Sequence, residues 1–285
     1  MELLQAIING LLIGGVYAVI SIGLTLVFGV MSIVNFAQAE FLMIGMYVGY
    51  YAWMTLGIDP ILGSPAAFCV AFVLGMLIQR FLIERVINAP EVAQIFLTVG
   101  LLIVLENLAL VLFGSEFKSV RTGYQTMAIS WSGLIIGVPY LVAFAVSGLV
   151  GILLWAFLRF TWVGQAMRAT AQNGVAALSL GINVRRVRQV AFGLGVGLTA
   201  LGGSVILPYY TASPTAGAQF VVLMFTVVVL GGLGSVLGAV FGGLVVGVIQ
   251  SVSTLVMPIQ LQNLALFVVF IAVLAVRPQG LLSTR

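Results

Sequence analysis

The chain has 285 residues, of which 62% are hydrophobic and only 6% are charged. A soluble domain needs far more charge on its surface, so this composition indicates an integral membrane protein. The net charge of +4 is small and scattered, which argues against a nucleic-acid partner, and a chain with one Cys (Cys69) and no His has neither an internal disulfide framework nor a His-based metal site or catalytic triad.

Long apolar runs predict membrane-spanning helices. Crossing the hydrocarbon core takes roughly 20 residues, and runs of about that length lie at 5–28, 36–56, 64–83, 92–113, 138–158, 189–209 and 259–276. The longer stretch 218–256 is broken by glycines, which is compatible with two short crossings or with a re-entrant hairpin and one crossing. Because the runs do not alternate, a β-barrel is excluded. We predict one transmembrane domain, 1–285, an all-α polytopic bundle of eight or nine helical elements with Gly-rich broken helices.

The distribution of Lys and Arg predicts the orientation. If the loops after 83 and 158 face the cytoplasm, nine arginines lie inside: Arg80, Arg85, Arg159, Arg168, Arg185, Arg186, Arg188, Arg277 and Arg285. Only Lys118 and Arg121 lie outside, in the loop 114–137, and nine crossings then place the N-terminus outside. The first residues, MELLQAIING, carry no basic leader and no small-residue cleavage site, so we expect a retained membrane segment.

The stretch IVNFAQAEF, residues 33–41, concentrates polar groups between two apolar runs. The orientation places it at the cytoplasmic turn between the first two segments, where Asn35 would cap the following helix. Glu40 would then lie near the positive end of the helix dipole, which favours its charge. We assign Asn35, Gln38 and Glu40 a gating or structural role and expect Glu40 to contact a loop arginine rather than the solute.

Glu106, followed by Asn107, is predicted to be the deepest acid, inside the run 92–113. A carboxylate in hydrocarbon costs at least about 2.5 kcal/mol, so it should face the interior or water, be paired, or be neutral. Glu106 and Asn107 are therefore candidates for the substrate pathway, where the acid could meet an ammonium group. A structural hydrogen bond between helices is the alternative.

Small residues recur at helical spacing in two segments. Gly234, Gly238 and Gly242 share one face, and two further sets lie in the sixth segment: Gly193 with Gly197, and Gly195 with Thr199 and Gly203. Such faces allow close helix packing. Alternatively, Gly231, Gly232 and Gly234 mark a broken helix that would line a pathway, as discontinuous helices do in transporters. Tyr209 and Tyr210, beyond the sixth segment, suit an interfacial belt or the border of the external pore mouth.

The longest polar piece, 159–188, is predicted to be a cytoplasmic loop carrying a helix. Residues 165–180 favour a helix with a partly apolar face, Gly181 supplies its stop, and arginines follow at the membrane boundary. Such a helix is suited to docking into a groove of another protein. An interfacial helix held by arginines on anionic lipid is the alternative.

Several segments, in the same order along nearly the whole chain, resemble the permease subunits of branched-chain amino-acid ABC transporters. They are GGVYAVISIGLTLVFGVMSIVNFAQAEFLMIGMY at 14–47, TVGL at 98–101, RATAQNGVAALSLGINVRRV at 168–187, VLGGLGSVLGAVFGGLVVGV at 229–248 and RPQGLL at 277–282. The chain departs from the family pattern at Gln38-Ala39, where a His-Gly pair is usual, and at Asn173, where an acid is common.

The resemblance implies a membrane subunit that forms the translocation pathway of an importer in the bacterial inner membrane. Its partners would be a second, homologous permease, two cytoplasmic ATPases and an external solute-binding protein. The ATPase-coupling role falls on the 166–182 region, with Arg168, Ala176, Ala177, Gly181 and Ile182. Relatives with similar permeases handle urea, amides and aromatic acids, so the solute is not fixed by the resemblance.

The nucleotide chemistry is expected on partner chains. A phosphate-cradling loop has the form G-x-x-x-x-G-K-[ST], and the only lysine, Lys118, follows Phe117. We therefore expect no cofactor in this chain, ATP-Mg on the partners, and no enzyme activity of its own. The alternative function is a stand-alone proton- or sodium-coupled transporter that titrates Glu40 and Glu106.

Overall fold

The computed structural model describes residues 1–285 except 132, 259, 260, 278, 279 and 281–285. The helices are α1 (Glu2–Met31), α2 (Gln38–Leu56), α3 (Pro60–Ile78), α4 (Glu84–Val86), α5 (Glu91–Phe113), α6 (Val138–Phe160), α7 (Trp162–Gln172), α8 (Gly174–Ser179), α9 (Val184–Ile206), α10 (Ala216–Gly231), α11 (Val236–Val256) and α12 (Gln262–Val276). A π-helical turn, Gln79–Ile83, joins α3 to α4. The strands β1 (Ala128–Trp131) and β2 (Leu134–Gly137) form an antiparallel hairpin.

The predicted all-α membrane bundle is confirmed. In the described part of the chain, six spans are long and apolar enough to cross a membrane: α1, Pro60–Val86, α5, α6, α9 and α11. The helices α10 and α12 are apolar but shorter. The stretch 218–256 holds two helices separated by the glycine break, and whether α10 is a short crossing or part of a re-entrant hairpin stays a prediction. The small hairpin of β1 and β2 was not predicted.

Helices α1 and α9 form the centre of the bundle. Of the most apolar 18 residues of each helix, 78% are buried within the chain in α1 and in α9, but only 17% in α5 and in α6. Both central helices pack against α2, and α1 also packs along α11 while α9 packs along α3. The outer faces of α5 and α6 are consequently available to lipid or to another subunit.

Glycines let the central helices approach at backbone distance. Gly195 of α9 faces Gly23 of α1, where a Cβ would overlap the backbone carbonyl. Along α11, Gly243 and Gly247 meet α1 in the same way. The predicted packing role of the small-residue faces is confirmed, since lipid-embedded helices associate through such contacts.

The break between α10 and α11 is a tight turn. Gly232 and Gly234 have φ angles of 106° and 84°, which favour glycine. Ser235 then caps α11 by accepting the Gly238 N–H at 3.0 Å. Since Gly234 lies against Gly29, near the end of α1, this turn is at the end of the bundle that carries α7 and α8.

Polar contacts close the opposite, predicted external end. Gln5 exchanges two hydrogen bonds with the backbone of Ile135 in β2, at 2.6 and 2.8 Å. Lys118 pairs with Ala212 as an isolated bridge, which ties the loop after α5 to the loop after α9. On the other end, Arg185 lies 3.6 Å from Glu84, so the loops after 83 and before 184 are together, as the predicted orientation requires.

Two expectations lie outside the described residues. Arg285 was counted among the inside cations, and most of the motif RPQGLL falls at 278, 279, 281 and 282. Of that motif, Arg277 and Gly280 are described, and Gly280 packs against Gly232 of the α10–α11 turn.

Candidate functional site

A non-helical segment enters the bundle between α1 and α2. The chain leaves α1 at Ser32, which is exposed and left-handed (φ 55°), and residues 33–37 then turn inward. Thr98 of α5 donates to the Val34 carbonyl at 3.2 Å, which satisfies one backbone group of this coil. Irregular backbone at membrane depth is tolerated only where it is buried in protein or lines a cavity.

Asn35 and Gln38 join a buried network halfway along α9. Asn35 Nδ2 donates to Gln38 Oε1 at 2.9 Å, and Gln38 Nε2 donates to the Gly195 carbonyl at 3.0 Å and to Thr199 Oγ1 at 2.8 Å. Thr199 Oγ1 donates in turn to the Ile20 carbonyl of α1 at 3.1 Å. The network therefore fixes the start of α2 against both central helices.

Glu40 is the deepest acid, with a side chain that is 0% exposed. Its carboxyl group lies against Gly217 in the first turn of α10, where a Cβ would overlap it. Neither carboxyl oxygen has a hydrogen-bond partner among the described residues.

The predicted position of 33–41 at the cytoplasmic turn was wrong. Because Gln38 bonds the middle of α9, the stretch lies inside the bundle, and Glu40 contacts α10 instead of a loop arginine. Asn35 does not cap α2 either, since its amide bonds Gln38, and the position before α2 is Ala37 without a side-chain cap. The gating or structural roles of these residues stay predictions.

Glu106 and Asn107 differ in their surroundings. Glu106 is half-buried. Asn107 is exposed, and its amide donates to the Ile103 carbonyl of its own helix at 2.8 Å. Since α5 is largely exposed, Asn107 faces lipid or a neighbouring subunit, whereas Glu106 is partly covered by this chain.

The glycines predicted to line the pathway are in the α10–α11 turn. Gly231 and Gly232 are buried, Gly234 is exposed, and Gly231 touches the backbone of Gly238 across the turn. Their location in a tight turn is accounted for by close packing of the two helices. Their part in solute passage stays a prediction.

Two cavities near the predicted external end meet at one hydrogen-bonded pair. A cavity of about 340 Å³ lies between α1, α6 and α11, and one of about 280 Å³ lies between α1, α10 and α12. Tyr17 and Gln250 line both, and the Tyr17 hydroxyl donates to Gln250 Oε1 at 2.7 Å. This pair separates the two spaces.

The walls of these cavities are neutral and polar. Tyr210, on the loop after α9, donates to Gln219, and its ring packs edge-on against Phe220, with centroids 5.3 Å apart. Burial raises the pKa of Tyr210 and of Tyr209, so both phenols stay neutral near pH 7. Amides and neutral phenols can hydrogen-bond a polar solute without a net charge.

The sequence indicated part of this site. Tyr209 and Tyr210 were assigned to the belt or to the external pore mouth, and they lie beside the cavities. Tyr17 and Gln250 were not singled out, because they lie 233 positions apart in two apolar helices. Their polar character within such runs is the signal that was available.

The predicted coupling helix is two helices. Asn173 ends α7 and caps α8, accepting the N–H groups of Val175 and Ala176 at 3.0 Å each. The single helix expected over 165–180 is thus broken at Asn173, whose extended backbone (φ −158°) cannot continue a helix. Gly181 ends the segment with φ 83°, as predicted.

The surface of α8 differs from the predicted docking set. Ala177 is only 2% exposed, whereas Val175, Leu178 and Leu180 are 78%, 63% and 80% exposed. Of the other predicted coupling residues, Arg168, Ala176 and Gly181 are exposed and Ile182 is half-buried. We call Val175, Leu178 and Leu180 the α8 patch, which is the apolar surface available to a partner.

Known transport permeases are similar to this chain over most of its length. The family model described as "Branched-chain amino acid transport system / permease component" matches residues 6–274. The high-affinity branched-chain amino acid transport system permease protein LivH of Escherichia coli is 32% identical over 98% of this chain and 95% of the relative. The corresponding protein BraD of Pseudomonas aeruginosa is 30% identical, with 98% and 95% covered.

More distant transport proteins also align. The ribose import permease protein RbsC of Bacillus subtilis is 30% identical over 87% of this chain and 74% of the relative. No solved structure matches the chain. The membrane bundle and the match over residues 6–274 together show that this chain belongs to the permease components of branched-chain amino acid transport systems.

Proposed function

We propose that the chain is one permease subunit of an ATP-driven importer in the bacterial inner membrane and that it carries branched-chain amino acids. The observation that carries the proposal is the family match over residues 6–274. A relative named for ribose import aligns over 87% of this chain, so the similarity alone does not give the solute. The neutral amides and phenols around Tyr17 and Gln250 suit a zwitterion, which needs hydrogen bonds and no net countercharge.

The proposed partners follow from the surfaces that the chain leaves uncovered. The α8 patch is apolar and faces the predicted cytoplasmic side, which suits a groove on an ATPase. The outer faces of α5 and α6 are available to a second permease. ATP-Mg would bind the ATPase pair, since this sequence has no G-x-x-x-x-G-K-[ST] loop, and an external binding protein would deliver the solute.

Transport is expected to require the ATPase subunits. Liposomes containing this chain, its homologous permease and both ATPases should take up leucine with external binding protein and internal ATP-Mg, whereas the two permeases alone should not. A stand-alone proton- or sodium-coupled transporter would instead work without ATPases, follow the ion gradient, and lose coupling in Glu106→Gln. Uptake by this chain alone would overturn the proposal.

Tyr17→Phe tests the proposed solute route. The change keeps the ring beside Phe220 but removes the hydrogen bond to Gln250, which leaves an acceptor without its donor. Losing such a bond costs about 1 kcal/mol, so we expect the KM for uptake by the complete importer to change roughly fivefold. Tyr51→Phe is the matched control, because Tyr51 is exposed on α2 and away from the cavities. Equal KM values in both variants would show that the solute does not pass beside Tyr17 and Gln250.

A further inference from the structure

A third, larger cavity is a groove on the side of the bundle. It has a volume of about 710 Å³ and, like the 340 Å³ cavity, lies between α1, α6 and α11, but nearer the end of the bundle that carries α7. Most of its wall is apolar, from residues such as Val19, Ile152 and Leu237. Small-molecule sites are typically about 300–1,000 Å³, so the groove has the size of a ligand site. We call it the α1–α6–α11 groove.

Glycines keep the groove open. Gly148 and Gly151 lie on the α6 wall, and a Cβ at either position would meet nothing within 4 Å. This differs from glycines such as Gly14 of α1, Gly195 of α9 and Gly243 of α11, where a Cβ would overlap a neighbouring backbone. The α6 glycines therefore leave space within this chain that something else can fill.

The predicted cytoplasmic end of the groove is cationic. Arg159, in the last turn of α6, and Arg168 of α7 both line it and are exposed. The described residues contain no acidic partner for either arginine, and none of the groove-lining residues is acidic. The Arg159 guanidinium is held over the Trp155 ring, with 5.4 Å to the centroid, which keeps it at the mouth of the groove.

The length of the groove matches one leaflet. Its α6 wall runs from Phe144 to Arg159, which is about 22 Å at 1.5 Å per residue. Half of a bilayer of about 40–45 Å, with its headgroup regions included, is about 20–22 Å. An acyl chain in the groove would thus reach through the inner leaflet while its headgroup stays beside the two arginines.

We propose that the α1–α6–α11 groove binds one anionic phospholipid of the cytoplasmic leaflet. The acyl chain lies along the glycines of α6, and the phosphate accepts hydrogen bonds from Arg159 and Arg168. A basic pocket between transmembrane helices on the cytoplasmic side is the kind of site that takes an anionic headgroup. The proposal assigns Arg168 to lipid and does not depend on which solute is carried.

Native mass spectrometry of the full-length chain in mild detergent tests the headgroup contact. Wild type should retain dioleoyl phosphatidylglycerol more tightly than dioleoyl phosphatidylcholine. In the double variant Arg159→Gln/Arg168→Gln the phosphatidylglycerol affinity should fall about thirtyfold, with phosphatidylcholine unchanged. The control is Arg80→Gln/Arg186→Gln, which removes two exposed cytoplasmic arginines outside the groove; Arg80 also stacks on a ring, that of Phe81.

A second pair of variants tests the acyl-chain contact. Gly151→Leu should fill the groove and weaken both lipids, whereas Gly100→Leu on α5, another glycine with open space, should weaken neither. An added Cβ meets nothing within 4 Å at either position, so we expect both variants to fold, which their recovery as monodisperse protein checks. Equal lipid binding by the two arginine variants, or by the two glycine variants, would overturn the proposal. So would a Gly151→Leu chain that keeps its lipid but no longer assembles with the second permease, because a helix would then be the occupant.

Discussion

Val175→Asp/Leu178→Asp is expected to abolish uptake by the assembled importer while leaving the chain inserted and folded. Both side chains are largely exposed in the α8 patch, so the free chain loses little packing. In a complex these positions would be buried, so the two introduced carboxylates would lose their hydration in an apolar interface, which is energetically costly. We expect ATPase binding to weaken by more than about 2 kcal/mol, roughly thirtyfold in Kd.

Binding of the purified ATPase to the permease pair in nanodiscs measures this effect directly. Ala171→Asp/Gln172→Asp is the matched control, because it adds the same charge to exposed positions of α7, before the break at Asn173. Unchanged Kd in the α8 variant, or an equal loss in the control, would show that the α8 patch is not the docking surface.

Gly45→Val is expected to prevent the bundle from closing. A Cβ at this position of α2 would overlap the backbone carbonyl of Ala200 in α9, and no flexible side chain can move away. Overpacking by a methylene typically costs about 1–3 kcal/mol, and a clash with backbone should exceed that range. The α2–α9 contact and the network of Gln38 with Thr199 depend on the same approach.

The recovery of monodisperse protein and its thermal unfolding temperature are the measurements. Gly100→Val adds the same side chain to α5 at a position with open space, and it should behave like wild type apart from helix propensity. If the two valine variants unfold at the same temperature, the α2–α9 contact does not control stability.

Much of the fold could be predicted because bilayer thickness sets helix length. The apolar runs and the glycine break near 232 located the long helices, and the arginine bias agrees with the pairing of Arg185 and Glu84. What could not be predicted is where α2 begins. The coil 33–37 is nearly as apolar as a helix, and its position depends on partners in α5 and α9 that are distant in sequence.

The site was less predictable for the same reason. Capping by Asn35 assumes a helix that starts in water, but α2 starts inside the bundle, where the amide has a better partner in Gln38. The break at Asn173 changes which side chains of α8 are exposed, so the exposed apolar residues of α8 differ from the coupling residues that the sequence indicated. Glu106 was taken as the deepest acid from its position in a run, whereas three-dimensional packing buries Glu40 completely.

The inward coil between α1 and α2 also constrains how the protein is made. The hydrogen-bond acceptors of Gln38 lie on α9, and Thr199 is synthesised 161 residues after Gln38. At about 5–20 residues per second that interval is roughly 8–32 s. Until then the nascent chain must hold a polar, partly unpaired segment in or beside the bilayer, where each unsatisfied group is costly. We therefore expect an interval during biogenesis in which residues 33–41 stay in water at the membrane surface or in contact with the insertion machinery until α9 is synthesised.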